Sequence, residues 1–303
     1  MLTYKALRLA VIITACLEVA SRSDVMIAAA QNVPVPSAPV ASPSPSPGAP
    51  DDPCGGDARL LATLNRPTVG YSACAVAPGA IILEEGYQVQ EQGSGATASI
   101  ATQYPQSFTR IGVGRGLEFD VIGPYYNTLA GPDGKGGSQR THGYQDSGLG
   151  LKYEFVPRGR YTIAIDALYT APNGSPGYTV GGATETINFD ASFAATPTFG
   201  IGATLASSFT SGFNTDGKLS RFSVFTPSAV LTKQFKGFYQ LYAEYVYVSK
   251  LGPDRGGRAF ADYGVQHLLN KHFEIDVELG NSITANPNLQ FKYLGIGLGV
   301  TLQ

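Results

Sequence analysis

HFEIDVELG, at residues 272–280, alternates apolar and acidic side chains without interruption. The apolar residues take the odd positions and the acids take even ones: Phe273, Ile275, Val277 and Leu279 against Glu274, Asp276 and Glu278. A period of two residues predicts a β-strand with chemically opposite faces. In a soluble sandwich the apolar face would pack inward, whereas in a membrane barrel it would meet lipid and the acids would face a wet lumen.

The same alternation recurs beyond residue 79, in segments separated by turn signals. About twelve strands are predicted, at approximately 79–92, 97–114, 116–126, 144–156, 159–170, 183–195, 198–209, 219–234, 237–249, 258–269, 272–282 and 288–302. Most of the segments are long enough for tilted strands to cross a bilayer, which takes about 9–11 residues. Pro227 falls inside one of them and predicts a bulge there, because proline has no N–H for the ladder.

The connections between these segments separate a barrel from a sandwich. Tight turns are predicted near residues 115, 158, 196, 236 and 270. They alternate with longer connections rich in Gly, Pro, Asn and Asp, at 127–143, 171–182, 210–218, 250–257 and 283–287. Short turns at one end, long loops at the other and an even strand number are typical of outer-membrane barrels. The sequence therefore predicts an all-β fold, an antiparallel transmembrane β-barrel over residues 79–303.

The composition agrees with this class. Charged residues make up only 15% of the chain, and there are 37 Gly, 17 Tyr and 15 Phe. The longest apolar run is shorter than the roughly 18–20 residues of a spanning helix. A formal net charge of -2 offers no basic surface for nucleic acid, so no nucleic-acid partner is expected.

The first part of the chain carries export and linker signals. Residues 1–30 are interpreted as a signal peptide, with a basic start, the apolar stretch LAVIITACL and a small-residue cleavage site before Gln31. A lipidated Cys16 is the alternative, because ITAC also fits a lipoprotein pattern. Residues 31–53 alternate proline with small residues and are interpreted as an extended linker.

Residues 54–78 form a separate short segment between the linker and the first strand. Cys54 and Cys74 are an even pair in an exported chain, so a disulfide is expected, with two free thiols as the alternative. DARLLATLNR, at residues 57–66, has leucines at helical spacing and predicts a short helix within this loop. We call residues 54–78 the disulfide segment. It is expected to plug the lumen or to cover its periplasmic mouth.

Charged residues on the predicted inner faces are the candidate functional residues. They are expected to line the pore, and acids outnumber bases among them: Arg110, Glu118, Asp120, Lys152, Glu154, Arg160, Asp166, Asp190, Glu244, Arg258, Asp262, Glu274, Asp276 and Glu278. Such side chains either pair across strands to support the wall or create a weak cation preference in a polar conduit.

Catalytic and metal-binding patterns are missing from the sequence. The three histidines, His142, His267 and His272, are separated by strands, and no G-x-S-x-G motif occurs. Cysteines at zinc spacing are also missing. GVGRGLE, at 112–118, joins two predicted strands and opens no helix, so it is a weak nucleotide motif. The expectation is a protein without catalytic activity, metal or cofactor.

The chain also resembles a known family over about four-fifths of its length. The resemblance lies in LLATLNRPTVGYSAC (60–74), PGAIILEEGYQ (78–88), YPQSFTRIGVGRGLEFDVIGPYYN (104–127), SGLGLKYEF (147–155) and ADYGVQHLLNKHFEIDVELG (261–280). These stretches are similar to the bacterial outer-membrane transporter family named for the meta pathway of phenol degradation. The resemblance implies a β-barrel channel for hydrophobic or aromatic compounds. Such barrels commonly end in an aromatic residue, and the ending Leu302-Gln303 departs from that pattern.

The expected function is passive passage of small, hydrophobic or aromatic molecules across the outer membrane of a Gram-negative bacterium. The expected partners are outer-membrane lipid, small solutes and the barrel-assembly machinery, with the N-terminal part in the periplasm. Two alternatives remain open at this point. One is a barrel without transport that acts as an adhesin, receptor or anchor, and the other is a secreted β-sandwich binding module.

Overall fold

A computed structural model describes residues 52–55, 59–93, 98–133, 137–284, 286 and 289–302. Within these ranges the chain forms one short helix and fifteen strands. The helix is α1 (Arg59–Thr63), and the strands are β1 (Ile81–Gln92), β2 (Ser99–Tyr104), β3 (Phe108–Gly114), β4 (Leu117–Ile122), β5 (Tyr126–Pro132), β6 (Ser138–Tyr144), β7 (Gly148–Arg158), β8 (Tyr161–Thr170), β9 (Thr184–Thr196), β10 (Phe199–Phe213), β11 (Leu219–Phe235), β12 (Tyr239–Gly252), β13 (Arg255–Asn270), β14 (Phe273–Ile283) and β15 (Phe291–Leu302).

The strands close into an antiparallel barrel. Twelve of the described strands form the ring, in the order β1, β3, β4, β7 and then β8 to β15. The ring closes where β15 pairs with β1, from Ile81 opposite Leu302 to Gln92 opposite Phe291. This closure confirms the predicted barrel, and it removes the free strand edges that a sandwich keeps.

The remaining three strands continue the wall at one side. β2 pairs with the C-terminal part of β1, from Gln88 to Gln92. β5 pairs with β2, and β6 pairs with β5. The predicted strand at 97–114 is therefore broken into β2 and β3, around the cis peptide bond between Tyr104 and Pro105.

Two of the predicted long loops are largely strand and a third is partly strand, so that part of the prediction was wrong. Residues 127–143 contain most of β5 and β6, β10 and β11 leave only 214–218 between them, and β12 and β13 leave only Pro253 and Asp254. Gly, Pro and Asn in these stretches imitate loop composition, but pairing across each hairpin satisfies the backbone. The tight turns lie where the sequence predicts them.

The prediction of a bulge at Pro227 is also wrong. Pro227 pairs with Leu205 in a continuous β10–β11 register. The ladder between β11 and β12 begins only at Ser228, so the position of Pro227 does not interrupt it.

HFEIDVELG begins at His272, in the turn before β14, and continues into β14 as residues 273–280. The side chains of Phe273, Ile275 and Leu279 are each 42% exposed and Val277 is 43% exposed, whereas Glu274, Asp276 and Glu278 are 0%, 2% and 3% exposed. The apolar face thus lies outside the ring and the acids lie inside it. This is the arrangement of a membrane barrel and the reverse of a soluble sandwich.

Arginine in place of Val277 tests this assignment of faces. A cation on the lipid face near the bilayer midplane costs about 2–4 kcal/mol, but only about 0–1 kcal/mol near an interface. Val277→Arg is expected to lower the free energy of unfolding in lipid vesicles by the larger amount. Val113→Arg, at the exposed end of β3 near its turn, is the matched control with the smaller cost. Equal effects of the two changes would contradict the assignment.

Apolar side chains inside the ring form two clusters. In the first, Leu60, Leu61, Leu64 and Val76 of the disulfide segment pack against Ala80, Ile82 and Leu268, which lie at or beside strand ends. In the second, Val246 and Phe260 contact Phe291 and Tyr293. The first cluster attaches α1, too short to be stable alone, to the wall. Of the helices in the described ranges, none has the length and apolar character to traverse a bilayer.

Candidate functional site

The described residues of the disulfide segment, 54–55 and 59–78, lie within the ring of strands. The Cys54–Cys74 disulfide is present. Residues 73–76 beside it are almost fully buried, with exposed fractions between 0% and 2%. A chain inside a barrel must satisfy its backbone N–H groups without regular secondary structure, so wall side chains have to supply the acceptors.

Wall carboxylates supply those acceptors from β1, β4, β7 and β12. Each of them accepts backbone N–H bonds from the disulfide segment: Glu84 from Asn65 (3.0 Å) and Arg66 (2.7 Å), Glu118 from Val76 (2.7 Å), Glu154 from Ala75 (2.6 Å), and Glu244 from Val69 (2.7 Å) and Gly70 (2.8 Å). Charge-assisted bonds of this kind are about twice as strong as neutral ones. Since the strands lie on different sides of the ring, the segment is held from several directions.

Arg110, on β3, is the centre of a fully buried ion network. Its guanidinium donates to both carboxylate oxygens of Glu118, at 2.7 and 3.0 Å, and to Glu84 at 3.2 Å. It also donates to the carbonyl oxygens of Thr63 and Cys74, the latter at 3.0 Å. One arginine therefore pairs with two wall acids and binds two carbonyl groups of the disulfide segment.

Lys152 and Tyr71 form a second contact between wall and segment. The Lys152 ammonium donates to the carbonyl oxygen of Ser72 at 2.8 Å, lies 3.5 Å from Asp166 and is 5.6 Å from the Tyr71 ring centroid. Burial, with the nearby carboxylates of Asp166 and Asp120, raises the pKa of the Tyr71 hydroxyl well above its usual value. Tyr71 therefore stays neutral in the lumen.

Arg66 makes the corresponding contacts on the opposite side. Its guanidinium lies 3.4 Å from Asp276 and 3.3 Å from Glu278, and it donates to Gln106 at 2.7 Å. Burial alone would lower the pKa of Arg66, but Asp276, Glu278 and Glu84 outweigh it and the pKa is raised. The guanidinium remains charged beside these acids.

The glycine row on the inner face of β15 makes room for the segment. A methyl group at Gly297 would overlap the Asp276 carboxylate and lie 2.5 Å from Nε of Arg66. A methyl group at Gly299 would lie 2.7 Å from Cδ1 of Leu64. Close approach of the disulfide segment, and not curvature alone, therefore accounts for these glycines.

Several inward acids have oxygens that receive no hydrogen bond from the described part of the chain. These are both oxygens of Glu274 and of Asp166 and one oxygen each of Asp120, Asp190, Asp262 and Asp276. Buried carboxylates without donors are costly. The inner face therefore carries more carboxyl groups than basic side chains in the described part of the chain.

The structure places most of the predicted pore residues together on the buried inner face. The buried set is Arg110, Glu118, Asp120, Lys152, Asp166, Asp190, Glu244, Asp262, Glu274, Asp276 and Glu278. Glu154 and Arg258 are half-buried, and Arg258 stacks on the Phe291 ring at 4.1 Å. Arg160 is exposed beside the turn at Gly159, between β7 and β8, and does not lie on the buried inner face.

Sequence reasoning missed two central residues. Glu84 is fully buried and lies two positions after Ile82 on the same inner face of β1, so the period-two pattern contained the signal for its inward position. Arg66 lies outside any strand, and no local pattern indicates that it reaches acids more than 200 positions away, as its hydrogen bond to Asp276 does across a separation of 210 residues.

Two of the cavities beside the disulfide segment share part of their lining. One, of about 410 Å³, lies against β9 to β13 and includes Gln240 and Gln266 in its lining. The other, of about 300 Å³, lies against β1, Phe108 and Tyr125. Both cavities are lined by Arg66, Thr68 and Tyr71. We call residues 66–71 the partition, because this piece of chain is common to the two spaces.

The chemistry available in this lumen is binding and charge discrimination. Within the described ranges, no group of three or more His, Cys, Asp or Glu side chains is arranged to hold a metal ion. Fold and lumen together define the class: a transmembrane β-barrel with a folded segment held inside it.

The comparisons narrow this class to a family. The model of the family described as MetA-pathway of phenol degradation matches residues 66–298, and the chain belongs to that family. An outer membrane channel from Pseudomonas putida F1 is similar in structure, with a TM-score of 0.58 and 11% identity over 79% of this chain and 100% of that chain. The NanC porin has a TM-score of 0.49 and 13% identity over 73% of this chain and 100% of that chain. At such identities the likeness concerns the fold alone. No curated protein matched this chain in sequence.

Proposed function

We propose that this protein is a passive outer-membrane channel for small hydrophobic or aromatic molecules, without catalytic activity. The observation that carries the proposal is the pair of cavities, about 410 and 300 Å³, that meet at the partition within a closed barrel. Only a short piece of chain separates them. The name of the Pseudomonas putida structure, an outer membrane channel, supports the same function.

The proposal includes an orientation. The short turns face the periplasm, and the disulfide segment enters the barrel from that side after a signal peptide (1–30) and a linker (31–53). Both ends of an even-stranded barrel lie on the short-turn side. The inward charges line the path around the disulfide segment, which acts as a plug.

Aromatic rings in the smaller cavity support the solute class. Tyr71, Phe108, Tyr125 and Tyr293 contribute to its lining, beside polar groups that include Gln106. Apolar pockets with a few convergent polar groups are typical of small-molecule sites. A single-ring solute with a hydroxyl group would place its ring against these side chains and donate a hydrogen bond to a carboxylate.

Ion conductance in planar bilayers tests the channel function. The full-length protein is expected to conduct weakly, and a variant in which a Gly-Ser linker replaces residues 54–78 is expected to conduct several times more. Catechol is expected to interrupt the current through the full-length protein, whereas cyclohexane-1,2-diol, its non-aromatic counterpart, is expected to interrupt it less. If neither the full-length protein nor the variant without residues 54–78 conducts ions, the channel function is disproved and a non-transporting barrel is favoured.

A further inference from the structure

The partition is held at three places by wall side chains. At its start the backbone N–H of Arg66 donates to Glu84 at 2.7 Å, and at its end the N–H of Tyr71 donates to Thr204 at 3.0 Å. Between these points Glu244 accepts from Val69 at 2.7 Å and from Gly70 at 2.8 Å. The middle of the partition therefore depends on one carboxylate.

The Val69 side chain contributes little packing at this middle point. The Val69 side chain is 43% exposed, whereas Glu244 is only 3% exposed. Pro67 has no N–H to donate, and the Thr68 hydroxyl bonds within the segment, 2.9 Å from the carbonyl oxygens of Asn65 and Gly70. The two bonds to Glu244 are thus the principal attachment of the stretch that separates the two cavities.

Gly70 makes this attachment sterically feasible. A methyl group at Gly70 would overlap Oγ of Ser228 and lie 2.9 Å from Oε1 of Glu244 and 3.1 Å from Oγ1 of Thr204. A residue with a side chain would have to move away from β11 and β12. The close fit and the carboxylate therefore act on the same point of the partition.

We infer that Glu244 is a positioning residue that holds the partition across the lumen, between the two cavities. By holding the partition, Glu244 sets the rate at which solutes pass and the size limit for them. This inference rests on the proposed channel function. When the carboxylate is bonded to both N–H groups the two cavities stay separate. When the bonds break, the stretch between Glu84 and Thr204 swings aside and the cavities join.

Glu244→Ala and Glu244→Gln test the inference by a graded loss. The alanine variant is expected to raise the open probability in planar bilayers by about tenfold and to admit larger poly(ethylene glycol) molecules, since charge-assisted bonds hold the closed state. Glutamine keeps one acceptor oxygen, so its effect is expected to lie between alanine and the unchanged protein. Migration of unboiled protein on a denaturing gel is expected to stay the same, because the strand ladders are untouched.

Gly70→Ala tests the same point while leaving the wall intact. It is expected to raise the open probability through steric displacement, even if Glu244→Ala were to fold poorly. Asp146→Ala is the matched control, because Asp146 also accepts two backbone N–H bonds, from Gly174 at 2.8 Å and Val180 at 3.0 Å, but in an outer loop. Its open probability and size limit are expected to match those of the unchanged protein.

The outcomes separate the inference from the function. If the variant lacking residues 54–78 conducts, but the Glu244 and Gly70 variants keep the original open probability and size limit, the role of Glu244 is overturned and the channel function stands. If the variant lacking the segment is sealed, the function fails and the inference fails with it.

Discussion

Methionine in place of Arg110 is expected to lower the free energy of unfolding by about 3–5 kcal/mol, the usual cost of removing one partner from a buried ion pair. Arg110 is 0% exposed and pairs with Glu84 and Glu118, so its loss removes the ion-pair partner of Glu84 and leaves Glu118 with Lys152 alone, 3.9 Å away. The carbonyl groups of Thr63 and Cys74 lose their donor at the same time. Denaturant titration in lipid vesicles would measure the change.

Arg221→Met is the matched control for this effect. Arg221 also pairs with a glutamate, Glu185, but their side chains are 32% and 29% exposed. Pairs in water contribute about 0–1 kcal/mol, so a small loss is expected. If the two variants lose similar stability, the buried network is not the main anchor of the disulfide segment. Faster release of the segment, measured as protease cleavage within residues 54–78, is expected for the Arg110 variant only.

Removing two acids of the buried inner face is expected to change ion selectivity most. In the described ranges both oxygens of Glu274 and one oxygen of Asp262 receive no hydrogen bond. When both carboxyl groups are ionised, Glu274→Gln with Asp262→Asn removes two negative charges and keeps the side-chain shapes. A charge about 8 Å from a permeating ion contributes about 0.5–2 kcal/mol at effective dielectric constants between about 80 and 20, so the cation-to-anion permeability ratio is expected to fall by about tenfold.

The same double variant is expected to be more stable than the unchanged protein. Like charges in a poorly solvated lumen repel, and neutral amides relieve that repulsion. Reversal potentials in a salt gradient measure the selectivity, and thermal denaturation measures the stability. Asp216→Asn with Asp254→Asn, at the exposed ends of two hairpins, is the control, with unchanged reversal potential expected. Reversal potentials that do not move in the lumen variant would contradict a selectivity role for its acids.

Local patterns were sufficient for the faces of the strands. Glu274, Asp276 and Glu278 lie inside as their alternation predicts, because a period of two is a property of a strand wherever it is placed. Loop composition was less reliable: residues 127–143 contain most of two strands, since pairing partners outweigh local preference. Arg160 is an even-numbered residue like Thr162, whose side chain points inward on β8, but Arg160 lies before the buried part of that strand. Alternation alone does not indicate where a barrel ends.

The sequence by itself determined the class of fold, the position of the tight turns and the cysteine pair, because each depends on residues close together in the chain. The tertiary structure decided what the inward acids bind. Glu244 meets Val69 across 175 positions, and Arg110 meets Cys74 across 36. These contacts exist only once the ring has closed around the disulfide segment, and no periodicity encodes which acid faces which backbone N–H. Closure of the ring also places the acidic face of β14, with Glu274, Asp276 and Glu278, on the inner wall of a lumen.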